Sequence, residues 1–304
     1  MKGAPSRILI TIDVEDWFQV ENLRPWFPPS SWDGPAPRVV DNTRRLLDLF
    51  DRASEGMSRR GGSYRQDRVR ATFFVLGWVA ERFPALVRDI HQRGHEVASH
   101  GYSHRLCGDE KPDRLRSDLS TSKKLLEDIT GEPVLGYRAP SFSISPDVLK
   151  MIEQAGYRYD ASYNSFGLNA RYGKLSLDPA IREGIAYRVA WEFHEIPISN
   201  LSFLGRTLPW GGGGYFRLLP WPLFKLGVKA ILKKERDYMF YMHPWEIDPG
   251  QPRIMEASRL SRFRHYTNLD RSLGRLSRML SEFEGARYMS CAEYLGLPPS
   301  LSTP

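Results

Sequence analysis

The chain of 304 residues holds only two cysteines, Cys107 and Cys291, far apart and in no Cys-x-x-Cys spacing. That scarcity excludes a zinc ribbon and a disulfide-stapled secreted domain. Two free thiols are the expected state, with a single bridge between them as the alternative. No segment approaches the roughly 18 consecutive apolar residues of a membrane span. No apolar stretch of signal-peptide length precedes the strand at Ile8-Leu9-Ile10, so a cytoplasmic protein is expected. The glycine run Gly211 to Gly214 is not followed by Gly-Lys-Ser/Thr, which excludes a phosphate loop. The net charge of +7 would suit an acidic polymer. Yet the basic pairs Arg59-Arg60 and Lys233-Lys234 are short and lack interleaved aromatics, so nucleic acid is not an expected partner. There is no internal repeat and no low-complexity linker.

What is present is an ordinary balance of 41% hydrophobic and 26% charged residues, on a chain long enough for one large α/β barrel. Short apolar strands are expected at residues 7–13, 70–76, 96–99, 135–138, 157–160, 192–198 and 238–243. Helices with one apolar face are expected at 42–51, 79–93, 112–130, 146–155 and 268–283. That alternation means parallel β/α units, in a barrel or a doubly wound sheet. Residues 53–68 are polar, Gly- and Arg-rich and aperiodic, and are expected to form a mobile loop. After about residue 165 the rhythm loosens into Gly-, Pro- and aromatic-rich sequence.

Chemistry collects at strand ends. His100-Gly101-Tyr102-Ser103-His104 follows the strand at 96–99, and two imidazoles four apart in one turn can converge on a metal ion. Asp13-Val14-Glu15-Asp16 places three carboxylates at the end of the first strand, where they would repel one another unless a cation or arginine joins them. Arg138-Ala139-Pro140 ends another strand; a buried arginine there could hold a carboxylate ionised as a base. His243-Pro244-Trp245-Glu246 ends the last strand, where a histidine can donate a proton to a leaving group. Each signal alone is ordinary: capping, a surface arginine or a hydrogen-bonded histidine would explain it. Four of them at four strand ends point to a site.

Thr11-Ile12-Asp13, Ser99-His100-Gly101-Tyr102-Ser103-His104, Arg138-Ala139-Pro140 and Tyr241-Met242-His243 occur in the order seen in the polysaccharide deacetylases. The chain resembles this family, carbohydrate esterase family four or the NodB homology domain, over residues 7–250. Residues 251–304 would then be a C-terminal extension packed on the barrel. Gly205-Arg206, the Gly211 to Gly214 run and Ser261 to Tyr266 resemble features of a bacterial subgroup associated with exopolysaccharide gene clusters and exosortase systems. The resemblance implies a distorted (β/α) barrel and a divalent metal, foremost Zn²⁺. It also implies hydrolysis of N-acetyl groups on a polysaccharide or oligosaccharide. It makes Asp13 the general base, His100 and His104 metal ligands, Arg138 the residue orienting Asp13, and His243 the general acid.

Two departures stand out. The usual Asp-Asp pair is replaced by Asp13-Val14-Glu15-Asp16, so the carboxylate ligand is Glu15 or Asp16. The family's Asp-Trp motif, which tunes the acid histidine, has no clean match; Asp160 is the nearest candidate, with Glu246 behind it. A backbone N–H near Tyr102 or Ala139 is expected to help hold the oxyanion. Trp17, Tyr102, Pro140, Trp210, Tyr215 and Trp245 flank the motifs as candidate sugar contacts, and Gly211 to Gly214 is expected to be a flexible loop near the groove or, equally, a plain tight turn. A small non-sugar amide as substrate, or a carbohydrate-binding homologue without catalysis, are the competing readings.

Overall fold

The computed structural model describes residues 5–59, 68–167, 172–178 and 180–298. Strands β1 (Arg7–Val14), β2 (Ala71–Val75), β3 (Glu96–Ser99), β4 (Gly136–Tyr137) and β5 (Tyr159–Asp160) alternate with helices α1 (Val39–Arg59), α2 (Gly77–Arg82), α3 (Pro84–Gln92), α4 (Pro112–Thr130) and α5 (Pro146–Gln154). An antiparallel meander of β6 (Ile181–Glu183), β7 (Ala186–Ala190) and β8 (Phe193–Glu195) comes next, then the hairpin β9 (Asn200–Phe203) and β10 (Arg206–Pro209). The chain continues through α6 (Gly213–Leu218), α7 (Trp221–Glu235), β11 (Asp237–Met242), α8 (Arg259–Tyr266), α9 (Leu269–Glu282), β12 (Arg287–Tyr288) and α10 (Cys291–Tyr294).

The main sheet runs β11-β1-β2-β3-β4-β5-β8, all parallel, and β7 and β6 continue it antiparallel. It curls until the chain beyond β8 approaches β11, and Gly211 closes the gap. Its carbonyl accepts from the Tyr241 N–H at 2.7 Å, and a Cβ there would lie 2.6 Å from the Ser199 carbonyl oxygen and 2.8 Å from that of Met239. Gly211 to Gly213 are thus a tightly packed seam of a distorted (β/α) barrel, not a flexible loop, and only Gly214 of the run has open space beside it.

Side-chain alternation divides β1 between two surfaces. Ile8, Ile10, Ile12 and Val14 belong to the large core beneath the helices, whereas Leu9 joins Phe74, Ala98, Tyr159, Ile196 and Met239 in the barrel interior. Thr11, Asp13 and Glu15 share the parity of Leu9, and His243 shares that of Met239 and Tyr241. This pattern delivers the polar groups to one end of the interior.

The structure amends several expected boundaries. The helix expected over 79–93 is two helices, because Pro84 restricts Phe83 to φ −129° and ψ 57° and starts a new turn. The expected loop at 53–68 begins as helix: α1 runs to Arg59, and Ser54 at its inner face bonds the Phe50 carbonyl and the Val69 N–H. Residues 60–67 lie outside the described residues. Beyond residue 250, α9 packs on α1 and on the turn Pro244–Ile247, while β12 pairs in parallel with Arg7 and Ile8 of β1. Cys107 and Cys291 are free and buried. Among the described residues no helix is long and apolar enough to cross a membrane.

Candidate metal centre and active site

The loop that follows β3 carries His100 and His104, and it is not helical. Gly101 at φ +72° and His104 at φ +50° reverse the chain. The Asp118 carboxylate on α4 gathers the loop by accepting from the Tyr102 and Ser103 N–H groups and the Ser103 hydroxyl at 2.7–3.1 Å. A left-handed histidine is a strained residue of the kind that persists where the surrounding structure holds it. The result is two imidazoles with ring centroids 5.3 Å apart.

The His100 Nδ1 lies 2.8 Å from the Arg138 carbonyl oxygen. A carbonyl only accepts, so Nδ1 carries the proton and Nε2 keeps its lone pair. Burial pulls His100 down to about 4, so the ring is neutral and able to ligate at neutral pH. Glu15, His100 and His104 bring one ligand atom each to within 4.8 Å of one another, all three buried. Glu15 Oε2 sits 2.6 Å from His104 Nε2, yet it is a buried oxygen without hydrogen-bond geometry to any partner. Burial alone would raise the Glu15 carboxyl, but the charges of His104 and His243 bring it down to about 2. An ionised, buried carboxylate whose Oε2 meets nothing but an imidazole, beside a second imidazole, is a donor set that fits a divalent cation with one or more positions left open.

Asp16 does not belong to this cluster. Its carboxylate accepts from the N–H groups of Trp17, Arg38 and Val39 at 2.7–2.9 Å and anchors the entry to α1. Burial raises it to about 6 against those three donors. Of the two carboxylates left open in the sequence, Glu15 is the one that faces the histidines, on the parity argument given for β1.

Two further groups flank the cluster. Arg138, wholly buried, crosses the barrel interior beneath the Phe74 ring. It donates from Nη1 to Asp13 Oδ1 and to Thr11 Oγ1, both at 2.7 Å, and from Nε to the Ala161 carbonyl at 2.9 Å. Asp13 is thereby fixed by one oxygen, with Oδ2 3.9 Å from His243 Nε2. His243 donates from Nδ1 to Glu246 Oε1 at 2.8 Å, which turns Nε2 toward Glu15 Oε1 at 3.6 Å. Burial would lower His243, but Glu15, Glu246 and Asp13 together raise it to about 9. The ring is protonated at neutral pH.

Glu246 is therefore the carboxylate on His243. Asp160 is not: Tyr159 and Ala161 on either side of it face the inner core, so Asp160 points away. It accepts from the Ser162 hydroxyl at 2.7 Å and interacts with Glu195, and burial raises both carboxyls. The Tyr102 and Ala139 N–H groups expected near an oxyanion are spent on Asp118 and on Ser162 Oγ.

The aromatic candidates separate. Trp17 is buried edge-on against Phe18 and Phe27, and Trp210 stacks on Phe224 while donating to the Phe224 carbonyl; both are core. Pro140 is buried at the start of a short turn, and the Tyr102 hydroxyl donates to Glu81. Tyr215 is 39% exposed, edge-on to Phe166, and is the candidate most open to a ligand. Trp245 is buried, but it stacks between His243 and His265 and donates from Nε1 to Glu15 Oε1 at 3.2 Å. Sequence reasoning missed Arg217, which donates from Nε to Glu246 Oε2 at 2.7 Å.

Residues 61–159 match the family described as polysaccharide deacetylase, and residues 162–295 match a domain of unknown function, DUF3473. A peptidoglycan-N-acetylglucosamine deacetylase of Bacillus cereus is 32% identical over 126 residues, 41% of this chain and 51% of the relative. A chitooligosaccharide deacetylase of Azorhizobium caulinodans is 30% identical over 128 residues, 41% of this chain and 61% of the relative. The chain thus spans about half the length of the curated relatives it matches. A crystal structure of a peptidoglycan N-acetylglucosamine deacetylase superposes with a TM-score of 0.53 at 16% identity, covering 97% of this chain and 90% of the other. A structure described as a pseudoenzyme of carbohydrate esterase family four, from Bacillus anthracis, gives 0.50 at 14% identity over 96% and 66%. The barrel has the fold of these deacetylase structures, and residues 61–159 match the polysaccharide deacetylase family.

Proposed function

We propose that this protein is a metal-dependent hydrolase that removes N-acetyl groups from a polysaccharide and releases acetate. The observation that supports it most is the convergence of two differently held groups on one buried donor set. Asp13, locked by Arg138, and His243, locked by Glu246, flank the cluster of Glu15, His100 and His104. The deacetylase names of the relatives agree with this chemistry.

In this reading Glu15, His100 and His104 hold a divalent ion, foremost Zn²⁺, which when bound polarises the acetyl carbonyl and acidifies a water. Asp13 Oδ2 takes the proton of the attacking water, while Arg138 holds that carboxylate in place through its other oxygen. His243 Nε2 carries the proton that the departing sugar amine needs, and Glu246 fixes the ring so that Nε2 faces the reacting centre. The product amine adds positive charge to the polymer. We take the substrate to be an exopolysaccharide or its precursor, in keeping with the C-terminal sequence features. In the same proposal residues 251–298 form an extension packed on the barrel; the rest of the expected extension, 299–304, lies outside the described residues.

The test is acetate release from N-acetylated oligosaccharides by protein stripped of metal and then reloaded. The Asp13→Asn variant should keep stoichiometric metal and lose about a hundredfold to ten-thousandfold in kcat. Wild-type turnover in that variant would overturn the base assignment. Release from small amides but not from oligosaccharides would overturn the substrate class.

A further inference from the structure

Arg217 lies on α6, outside the barrel sheet and far in sequence from every motif residue, and it is 1% exposed. A buried guanidinium must place its N–H groups on acceptors, and here nearly all have one. Nε meets Glu246 Oε2 at 2.7 Å, Nη1 meets the carbonyls of His265 at 3.2 Å and Thr267 at 2.6 Å, and Nη2 meets the Arg264 carbonyl at 3.0 Å. The arginine's own carbonyl accepts from Asn268 Nδ2 at 2.8 Å and Arg275 Nη1 at 3.1 Å. Gly213 presses on the other side of the carboxylate, where a Cβ would lie 2.3 Å from Glu246 Oε1. Glu246 thus has no freedom to turn.

The same segment reaches the site by a second route. The His265 ring lies flat on Trp245 with centroids 4.3 Å apart, Trp245 lies on His243 at 5.2 Å, and the Trp245 N–H meets Glu15. His265 is itself pinned by Gln251 Oε1 at 2.8 Å from Nε2.

We propose that Arg217 is a positioning residue. By joining Glu246 to the carbonyls of Arg264, His265 and Thr267, it makes the orientation of His243 depend on the docking of the C-terminal end of α8. The function of the region matching DUF3473 would then include building the proton-donating half of the active site. A salt bridge serving only stability would leave the His243 ring indifferent to Arg217. A positioning bridge would not.

The part of this inference that concerns turnover rests on the deacetylase reading; the part that concerns the ring does not. The experiment is Arg217→Lys, which keeps the charge but not the planar fork. It is read by histidine ¹⁵N NMR of the metal-free protein, by metal content and by kcat and KM. The expected result is loss of the slowly exchanging His243 Nδ1–H signal, with metal stoichiometry retained. It comes with a fall in kcat of about a hundredfold and little change in KM. An unchanged ring signal together with wild-type kcat overturns the proposal. A wild-type protein without any deacetylase activity would overturn the proposed function, yet the ring signal would still decide the role of Arg217. Should the variant fail to fold, the wild-type protein supplies the test. The His243 ring proton should exchange no faster than the Thr267 amide, and fast exchange of the ring proton alone overturns the coupling.

Discussion

Two glutamates at opposite ends of the barrel show how the same side chain is used for different ends. Glu15, at the C-terminal end, is ionised and buried, with one oxygen held only by its contact to the His104 imidazole. Glu96, at the opposite end, has both oxygens satisfied by neutral donors. Tyr159 Oη donates to Oε1 at 2.7 Å, and Thr72 Oγ1 at 2.7 Å and the Ala292 N–H at 3.0 Å donate to Oε2. Burial raises the Glu96 carboxyl, the reverse of Glu15. A carboxyl sealed by neutral donors is a bracket between strands. A carboxylate held charged and incompletely bonded is stability given up for binding.

Breaking each glutamate should separate the two uses. Glu15→Ala should abolish stoichiometric metal and lower acetate release by about a thousandfold or more. The melting temperature of the metal-free protein should hold or rise. Glu96→Ala strands the Ala292 N–H and two hydroxyls and should lower stability by about 2–3 kcal/mol in urea titration. The folded fraction should turn over at the wild-type rate. Equal losses of stability in both variants would erase the distinction.

Acid sharpens the contrast at the structural end. His95, before β3, accepts the Ala71 N–H on Nδ1 at 3.2 Å, and burial holds it down to about 3. Its ordinary value is near 6.5, so below that pH the unfolded chain binds a proton that the folded chain refuses. The stability contribution is whole above about pH 6.5 and is lost as pH falls toward 3, at up to about 1.4 kcal/mol per pH unit. His95→Gln should flatten the urea midpoint against pH in this window and leave activity at neutral pH unchanged. The smallest expected effect is again at the site. Gly213→Ala, whose Cβ would meet Glu246, should lower kcat about tenfold by displacing that carboxylate. Gly214→Ala, with nothing within 4 Å of its Cβ, should be silent.

Much of this site was legible because its parts lie at strand ends, where local motifs and strand boundaries coincide. Asp13, His100, Arg138 and His243 are brought together as the motif order implied. What eluded the sequence was the direction in which side chains point. Counting by two from Leu9 puts Glu15 inside and Asp16 outside, and counting from Tyr159 sends Asp160 away from His243. That count needs to know which residues line the interior, and the apolar run of β1 is buried on both faces and conceals it. Glu246 was nearer to hand: the turn Pro244–Ile247 returns its carboxylate to the His243 backbone and ring. Arg217 left no trace in the chain, since apart from Glu246 its partners are backbone carbonyls, which carry no sequence signature. Trp17 and Trp210 misled because an indole beside a motif reads alike in a core or a cleft.

The lowest part of β1 has a consequence for how the chain is made. Arg7 and Ile8 pair with Asp237 and Tyr238 on one side and with Arg287 and Tyr288 on the other, and the Arg7 guanidinium closes on Asp237. β2 can cover one side of this strand early, but its β11 side waits for more than two hundred residues before a neighbour exists, about ten seconds or more of synthesis. During that interval the β11-facing edge of β1, along Ile8, Leu9, Ile10 and Ile12, stays unpaired and open to wrong partners. Yield in a cell should depend on what shelters that edge, a chaperone or a slow ribosome, more than on the stability of the finished barrel.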